Sequence, residues 1–584
     1  MINKLLYIFD RKDKIKLFCL FIMILIGSGL ELAAVAVFQP FITFLMNPQE
    51  AESSGMLNRI SSYFQLNTYE QFLTFMCIII IIIYVVKNVF LLFKQWFNIR
   101  FSNDVQNRLA IRMLSVYMRE PYTFHLNKNI AVLHRSIQSD TGQFSIVMVN
   151  MVQLLSEILV CIALGVMLFI TSRSMALGVA ALLLACVGMY MKITRRYIKK
   201  LGKELQFYSA KIYQWISQSL SGIKEVKVLN REEFFIESFG KYNKLAVRIN
   251  GINKLIQGSS KYLVETVSIV GMFLIIIARI FYSQNDTSTF VAQLAVFAMA
   301  AFRLLPAANR INEHFNTMNY VSASIDLIYD DLIEIENHDE TVAKKQESRT
   351  EFHFENSIVI RNISYAYPNT DENVLSDACC KIPKGKTAAF IGTSGSGKTT
   401  IADIILGLLP PQRGKILVDD MDIFKNIDLW HKQVGYIPQV IYLADDTIRN
   451  NVAFGIHEDQ IDEAALEAAL KKAQLYDFVD NLPEGLDTFV GDRGIRLSGG
   501  QRQRIGIARA LYHDPEILIL DEATSALDSE TETAVMEAID SLRGLKTMLI
   551  IAHRMTTIKN ADIIFEVADG KVSERDKKEI IDTI

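Results

Sequence analysis

Six apolar runs in the first 306 residues constrain this chain more than any other feature. They lie near 17–46, 71–93, 154–171, 174–191, 262–283 and 289–306. Several reach the ~20 residues that a helix needs to cross ~30 Å of hydrocarbon. A lipid-exposed backbone must satisfy its own polar groups, which leaves helices or a closed barrel. Runs this long predict six membrane-spanning helices. Flanking charges orient them. Arg11, Lys12, Lys14 and Lys16 precede the first run; Arg100, Arg108, Arg112 and Arg119 follow the second; Lys192, Arg195, Arg196, Lys199 and Lys200 follow the fourth. The loops at 47–70, 172–174 and 283–288 carry few cations, so the positive-inside rule puts both ends of this half in the cytoplasm.

The stretches 99–153 and 192–260 are too long for simple turns, and patterns such as KIYQWISQSL predict membrane helices continuing far into the cytoplasm. MLNRISSYFQL (56–66) puts Met56, Leu57, Ile60, Tyr63 and Phe64 on one helical face; it reads either as a short helix on the outer membrane surface or as a packed loop. Residues 331–350, DLIEIENHDETVAKKQESRT, are polar and without periodicity, and mark a linker between a membrane domain (1–330) and a second domain (351–584). In that second half the β-rich runs KTAAFIG, EILILDE and TMLIIAH alternate with helical stretches, an α/β pattern.

Composition narrows function. The chain is 50% hydrophobic and 21% charged, too apolar for an ordinary soluble protein and too charged for membrane helices alone. A net charge of −3 argues against nucleic acid as a partner. The N-terminus, MINKLLYIFDRKDK, lacks a cleavable signal pattern. The six cysteines show no CxxC spacing; Cys379 and Cys380 are adjacent, too close for an ordinary disulfide, and all six read as small core residues.

Residues 392–399, GTSGSGKT, match the phosphate-binding loop pattern: Gly392, Thr393, Ser394, Gly395, Ser396, Gly397, Lys398 and Thr399, with Thr400 opening the helix. The loop follows the apolar run TAAFI and precedes TIADIILGLL, the strand–loop–helix context that the motif requires. Glycines let backbone N–H groups approach phosphates, and the helix N-terminus adds partial positive charge. Lys398 is expected on the β/γ-phosphates and Thr399 on Mg²⁺. A second strand, ILIL (517–520), delivers Asp521 and Glu522 to its end. Asp521 is expected to hold Mg²⁺ and Glu522 to polarise the attacking water.

LSGGQ (Leu497, Ser498, Gly499, Gly500, Gln501) makes the resemblance specific: the second half resembles the ATP-binding cassette (ABC) family, whose signature this is. The resemblance implies more roles. Tyr367 in YAYP corresponds to the aromatic that stacks on adenine. Gln439 in YIPQ corresponds to the glutamine that senses Mg²⁺ and contacts the membrane domain. VGDRG (490–494) is similar to a short coupling loop of exporters, SALD ending at Asp528 to the D-loop, and His553 in IAHR to the switch histidine. In this family the signature of one subunit closes over the ATP of the other. One chain carries one loop and one signature, which implies a homodimer with two ATP sites; a heterodimer with a sister chain stays open. The fold class expected is therefore an α-helical six-span transmembrane domain fused to an α/β P-loop NTPase, the ABC cassette, using ATP and Mg²⁺. Six spans ahead of one cassette resemble a type IV exporter half-transporter, with coupling turns near 120–128 and 206–216.

The cargo is read from intramembrane charge. Arg303 and Arg310 lie seven residues apart, on one helical face, with Pro306 between them. Lys87 follows roughly 15 apolar residues of the second run, about 22 Å deep at 1.5 Å per residue. Lys261 opens the fifth run, with Glu265 one turn on. Snorkelling explains Arg310 and Lys261. A central cation costs about 2.5–3.5 kcal/mol on insertion scales, so Lys87 faces either a cavity or a partner such as Glu31 or Glu265. A cationic cavity implies an anionic cargo. FRLLPAANRI, Lys87 and KYLVE are similar to stretches of the lipid-linked oligosaccharide flippases (PglK-like), with lysine at 87 and 261 where that pattern has arginine. The expectation is a bacterial inner-membrane flippase for a polyprenyl-pyrophosphate glycan, with the N-terminus and cassette cytoplasmic. The alternatives are an exporter of lipid A, polysaccharide or hydrophobic drugs, and a membrane-anchored regulatory ATPase.

Overall fold

The computed structural model describes residues 2–37, 41, 69–171, 173–282, 287–343, 353–368, 370, 372–521, 529–552 and 558–578. The chain forms two compact units: Met1–Glu120 with Lys128–Asn337, and Pro121–Asn127 with His338–Ile584. The 56–66 segment lies outside the described residues.

The helices are α1 (Ile2–Ile8), α2 (Arg11–Ala36), α3 (Tyr69–Arg119), α4 (Tyr122–Asn127), α5 (Ile130–Arg135), α6 (Thr141–Thr171), α7 (Arg173–Ser221), α8 (Ile223–Val228), α9 (Glu232–Tyr282), α10 (Thr287–Tyr320) and α11 (Ser322–Ala343). All but α4 lie in the first unit, into whose range only the start of α11 falls. Among the described residues, three helical stretches are long and apolar enough to cross a membrane: Arg11–Ala36, Glu70–Arg119 and Ile130–Ile170. The runs at 174–191, 262–283 and 289–306 lie on α7, α9 and α10.

The long helices bear out the reading of membrane spans that continue well beyond the bilayer. α3 has 51 residues, about 76 Å at 1.5 Å per residue. Past its apolar run, Phe101, Val105, Leu109, Met113 and Tyr117 recur every fourth residue and are all buried. Four-residue spacing keeps them on one face. On the α2 and α3 surface, Phe18, Leu25, Ile81 and Leu92 point outward, as helices facing lipid require. Gly202 lets α7 approach α10 closely: a Cβ there would sit 2.0 Å from the Tyr320 carbonyl oxygen. α1 lies along the start of α11, with Lys4 2.8 Å from Asp326 and Tyr7 edge-on to Tyr329. A single π turn, Ser136–Asp140, follows α5. Its five-residue period brings Arg135 onto Asp140 at 3.2 Å, and Ser324 of α11 donates to the same carboxylate at 2.7 Å. Burial pushes the Asp140 carboxyl up in spite of Arg135.

Three expectations are corrected here. The stretch 206–216 is not a turn but the interior of α7; it lacks Gly and Pro, and the chain turns at Gly222, α8 and the left-handed Asn230. The linker region 331–350 holds the boundary between the two units, after Asn337, but it is not aperiodic: it is helical through Ala343, because Ile325, Ile328 and Leu332 extend a buried stripe that carries α11 on. Nor are the six cysteines uniformly core residues: Cys186 and Cys380 are buried, while Cys19, Cys77 and Cys379 are exposed. Cys19 and Cys77 lie on outward apolar faces of α2 and α3, and neighbours in a strand point to opposite sides, which separates Cys379 from Cys380.

The second unit contains two sheets. β1 (Ser357–Tyr365), β2 (Leu375–Pro383), β4 (Arg413–Val418) and β5 (Met421–Asp422) make an antiparallel sheet in the order β2-β1-β4-β5. β3 (Thr387–Ile391), β6 (Val434–Ile437), β7 (Ile517–Asp521), β8 (Thr547–Ile551), β9 (Ile563–Ala568) and β10 (Lys571–Arg575) make the other, in the order β10-β9-β3-β8-β7-β6, parallel except for the β9–β10 edge hairpin. β3, β7 and β8 have almost no exposed surface, so they read as continuous apolar runs. The helices are α12 (Lys398–Ile405), α13 (Ile427–Gln433), α14 (Ile448–Val452), α15 (Glu463–Lys472), α16 (Tyr476–Asp480), α17 (Gly499–Leu511) and α18 (Ser529–Asp540). α12 packs into a core with the antiparallel sheet and Trp430. α17 packs into a second core with α15 and β6.

Candidate functional site

Parallel register levels the ends of three strands. Phe390 of β3 and Asp521 of β7 both pair with Ile551 of β8. The phosphate loop therefore leaves β3 beside the end of β8, and Asp521 closes β7 one strand further on. In open α/β sheets this carboxyl edge is where ligands bind.

The loop itself is shaped for a close anionic guest. Gly392, Gly395 and Gly397 have φ of 148°, 82° and 103°, a region closed to most side chains. A Cβ on Gly392 would meet the Val567 carbonyl oxygen at 2.3 Å, and one on Gly397 would meet Val374 and Leu375 at 3.1 and 3.2 Å. Lys398 is 5% exposed and its Nζ donates to the carbonyls of Gly392 and Thr393 at 2.9 and 2.8 Å. Ser396 Oγ is buried without a hydrogen-bond partner. A cation parked on loop carbonyls, an orphaned hydroxyl and a helix N-terminus fit a phosphate chain. Thr399, next to Lys398 at the start of α12, is exposed beside the loop. Tyr367 sits over this region: its hydroxyl is 3.1 Å from Thr400 Oγ1 and its ring is edge-on to Tyr365.

Asp403, one helical turn past Thr399, was not anticipated from sequence. Burial, with the Asp521 charge adding, pushes its carboxyl up to about 6. Tyr436 on β6 is pushed up by burial and by the same two carboxylates. Tyr122 of α4 belongs to this unit, and burial together with Asp403 and Tyr367 raises its phenol. The sign is definite. An acid raised on folding favours the protonated folded state, so its stabilisation is complete below pH ~4 and is lost as pH rises through about 6. Asp403→Asn should therefore stabilise the nucleotide-free chain at pH 8 by about 1–2 kcal/mol, discounted from the full shift for partial exposure, with the gain vanishing toward pH 4. Thermal melts of both proteins at pH 5 and pH 8 check this; equal differences at the two values would refute it.

The signature segment is a built N-cap. Ser498 Oγ accepts from the Gln501 backbone N–H at 3.3 Å, and the Gln501 side chain accepts from the Ser498 N–H at 2.9 Å. Ser498 is exposed, while Gly500 is buried and Leu497 packs against the second core. Gln503 donates to the Gln439 carbonyl at 3.3 Å. A cleft of about 550 Å³ joins Gln439–Tyr442 to Arg493, Gly499, Arg502 and Gln503, bringing the 490–494 segment beside Gln439. Loop and signature thus ride on different cores of one unit. Glu522, Asp528 and His553 lie outside the described residues.

The family profile of the ABC transporter matches residues 375–525, and that of the ABC transporter transmembrane region matches 17–303. The chain is also 31% identical over 484 residues, 81% of its length and 79% of the relative's, to an ATP-dependent lipid A-core flippase of Cupriavidus metallidurans. The chain belongs to the ABC transporter family. It is a half-transporter of exporter type, one membrane region and one ATP-hydrolysing cassette, and a multi-pass membrane protein. An ATP-dependent lipid A-core flippase of Escherichia coli strain K12 is 29% identical over 94% of this ABC transporter and 92% of the relative. A solved structure of a bacterial Atm1-family ABC exporter with ATP bound shares its fold, with a TM-score of 0.76 over 98% of this chain and 96% of that one at 21% identity.

In the membrane unit the expected cargo residues part ways. Lys87 is 5% exposed and stands 4.6 Å over the Tyr84 ring. Lys261 is exposed, as is Glu265 on the same face of α9. Arg303 lies on α10, and its side chain is not among those described. Arg310 is forked onto Glu157 of α6, at 2.7 and 3.0 Å. The sequence reading had Arg310 snorkelling to the interface rather than paired with a carboxylate of another helix. Lys94, which donates to Ser156 at 2.8 Å, and Glu157 were missed; a helical-face argument within one run cannot find a partner 153 residues away.

Proposed function

We propose that this ABC transporter is a homodimeric, ATP-driven flippase that moves a phosphorylated glycolipid of the lipid A type outward from the cytoplasmic leaflet of a bacterial inner membrane. The N-terminus and cassette are cytoplasmic in this reading. Each ATP site joins the loop of one copy to Leu497–Gln501 of the other. Lys398 and residues 392–400 hold the phosphates, Tyr367 the base, and Thr399, Asp521 and Gln439 the Mg²⁺. Glu522 polarises the water, His553 holds it and the γ-phosphate, and Asp528 lines the interface.

The cargo reading is carried by one buried cation inside an apolar helix, Lys87 within IIIIIIYVVK. An ionisable residue at that depth is costly and by default marks a substrate pathway. The lipid A-core names of relatives at 29–31% identity support a phosphorylated glycolipid over a polyprenyl-pyrophosphate glycan.

Proteoliposomes decide between them. With labelled lipid A and labelled polyprenyl-pyrophosphate glycan in parallel, ATP should expose lipid A to the opposite leaflet, and the Glu522→Gln variant should not. Flipping of the polyprenyl lipid alone would reassign the cargo. Movement of neither lipid alongside normal ATP hydrolysis would reject a lipid flippase of either kind.

A further inference from the structure

Four charged side chains from four helices gather where α2, α3, α6 and α10 meet. Arg310 is forked on Glu157, Lys94 reaches Ser156 next to it, and Glu31 of α2 lies within electrostatic reach of both cations. One turn along α10, His314 Nδ1 meets Asn150 Oδ1 at 2.8 Å. The two carboxylates balance the two cations. A further anion entering this region meets a cluster of no net charge, the pull of its two cations offset by two carboxylates. The Arg310–Glu157 pair is also unsealed: its side chains are 42% and 18% exposed. Its two parallel N–H···O bonds have the geometry that a guanidinium offers equally to a phosphate.

We propose that Glu157 is a placeholder for the cargo's phosphate: in the cargo-free protein it occupies the Arg310 fork, and a phosphorylated headgroup binds there by displacing it. This rests on the anionic-cargo reading above. It assigns Glu157 a specificity role, because a headgroup without phosphate cannot compete for the fork. It also explains how a cation can wait inside apolar helices without recruiting adventitious anions.

Native mass spectrometry of the purified full-length dimer tests it, with phosphatidic acid as the simplest phosphate-headed lipid, diacylglycerol as its phosphate-free control, and lipid A. Glu157→Gln should lower half-saturation by phosphatidic acid about tenfold, the low end of what close charge pairs are worth in interfaces. Diacylglycerol should be unaffected, and adding Arg310→Gln should erase the gain. Unchanged or weaker phosphatidic acid binding by a folded Glu157→Gln protein overturns the proposal. Should that variant not fold, Glu157→Asp keeps the charge but shortens the reach; it should tighten phosphatidic acid binding to a lesser degree, and wild-type binding there overturns the proposal equally. Tighter phosphatidic acid with no lipid A bound by any form supports the placeholder and rejects the lipid A cargo.

Discussion

Lys398→Ala should abolish both ATP binding and hydrolysis, with turnover falling by at least about 100-fold, as when a preorganised charge-stabilising donor is removed. The ammonium is buried and tethered to the loop carbonyls of Gly392 and Thr393. It is therefore already aimed where negative charge is to lie, and pays little reorganisation when the phosphates arrive. Arginine should not rescue it, because the loop is closed around a slim side chain, with no room for a Cβ at Gly392 and tight contacts for one at Gly397. Folding should survive, since α12 is anchored by Ile401, Ile404 and Ile405 in the core rather than by Lys398. Nucleotide binding by fluorescence and phosphate release in detergent provide the readouts. Turnover within fivefold of wild type would remove Lys398 from the site.

What could be read from the sequence depended on how local the determinants are. The phosphate loop, β3, β7 and β8 are each encoded within about a dozen residues, by glycine positions and unbroken apolar runs, and the structure has them where the sequence put them. The length of α3 and α9 was equally legible from apolar runs continued by helical stripes. The antiparallel sheet was not, because register shifts between Ile360, Ile363 and Tyr365 interrupt the alternation of β1. The second turn, implied by the resemblance alone, was placed too early: without Gly or Pro the segment stays helical through Ser221, and the chain turns at Gly222. Asp403 and Glu157 owe their significance to partners far along the chain: Asp521 in one case, Arg310 in the other. Spacing along a single helix carries no information about such pairs.

Glu522→Gln should separate what Lys398→Ala removes together. β7 is buried along all five residues and ends at Asp521, 8% exposed, which is level with Ile551 of β8. Glu522 is the next residue in the sequence. That register puts Asp521 at the carboxyl edge of the sheet; in the proposed site Asp521 holds the metal and Glu522 polarises the water. Glutamine keeps the size and one acceptor oxygen but cannot carry the charge that polarises water. Turnover should fall about 10²–10⁴-fold, the usual worth of a positioned base. ATP affinity should stay within about threefold, since that charge opposes bound phosphates rather than holding them. The variant should then accumulate as an ATP-bound dimer, detectable as nucleotide retained through gel filtration, whereas Lys398→Ala should retain none. Retained nucleotide with lost turnover in one variant, and loss of both in the other, is a pattern that a misfolded cassette cannot produce. Turnover in Glu522→Gln above a tenth of wild type would move the base elsewhere, and the raised carboxyl of Asp403 beside Asp521 would become the first place to look.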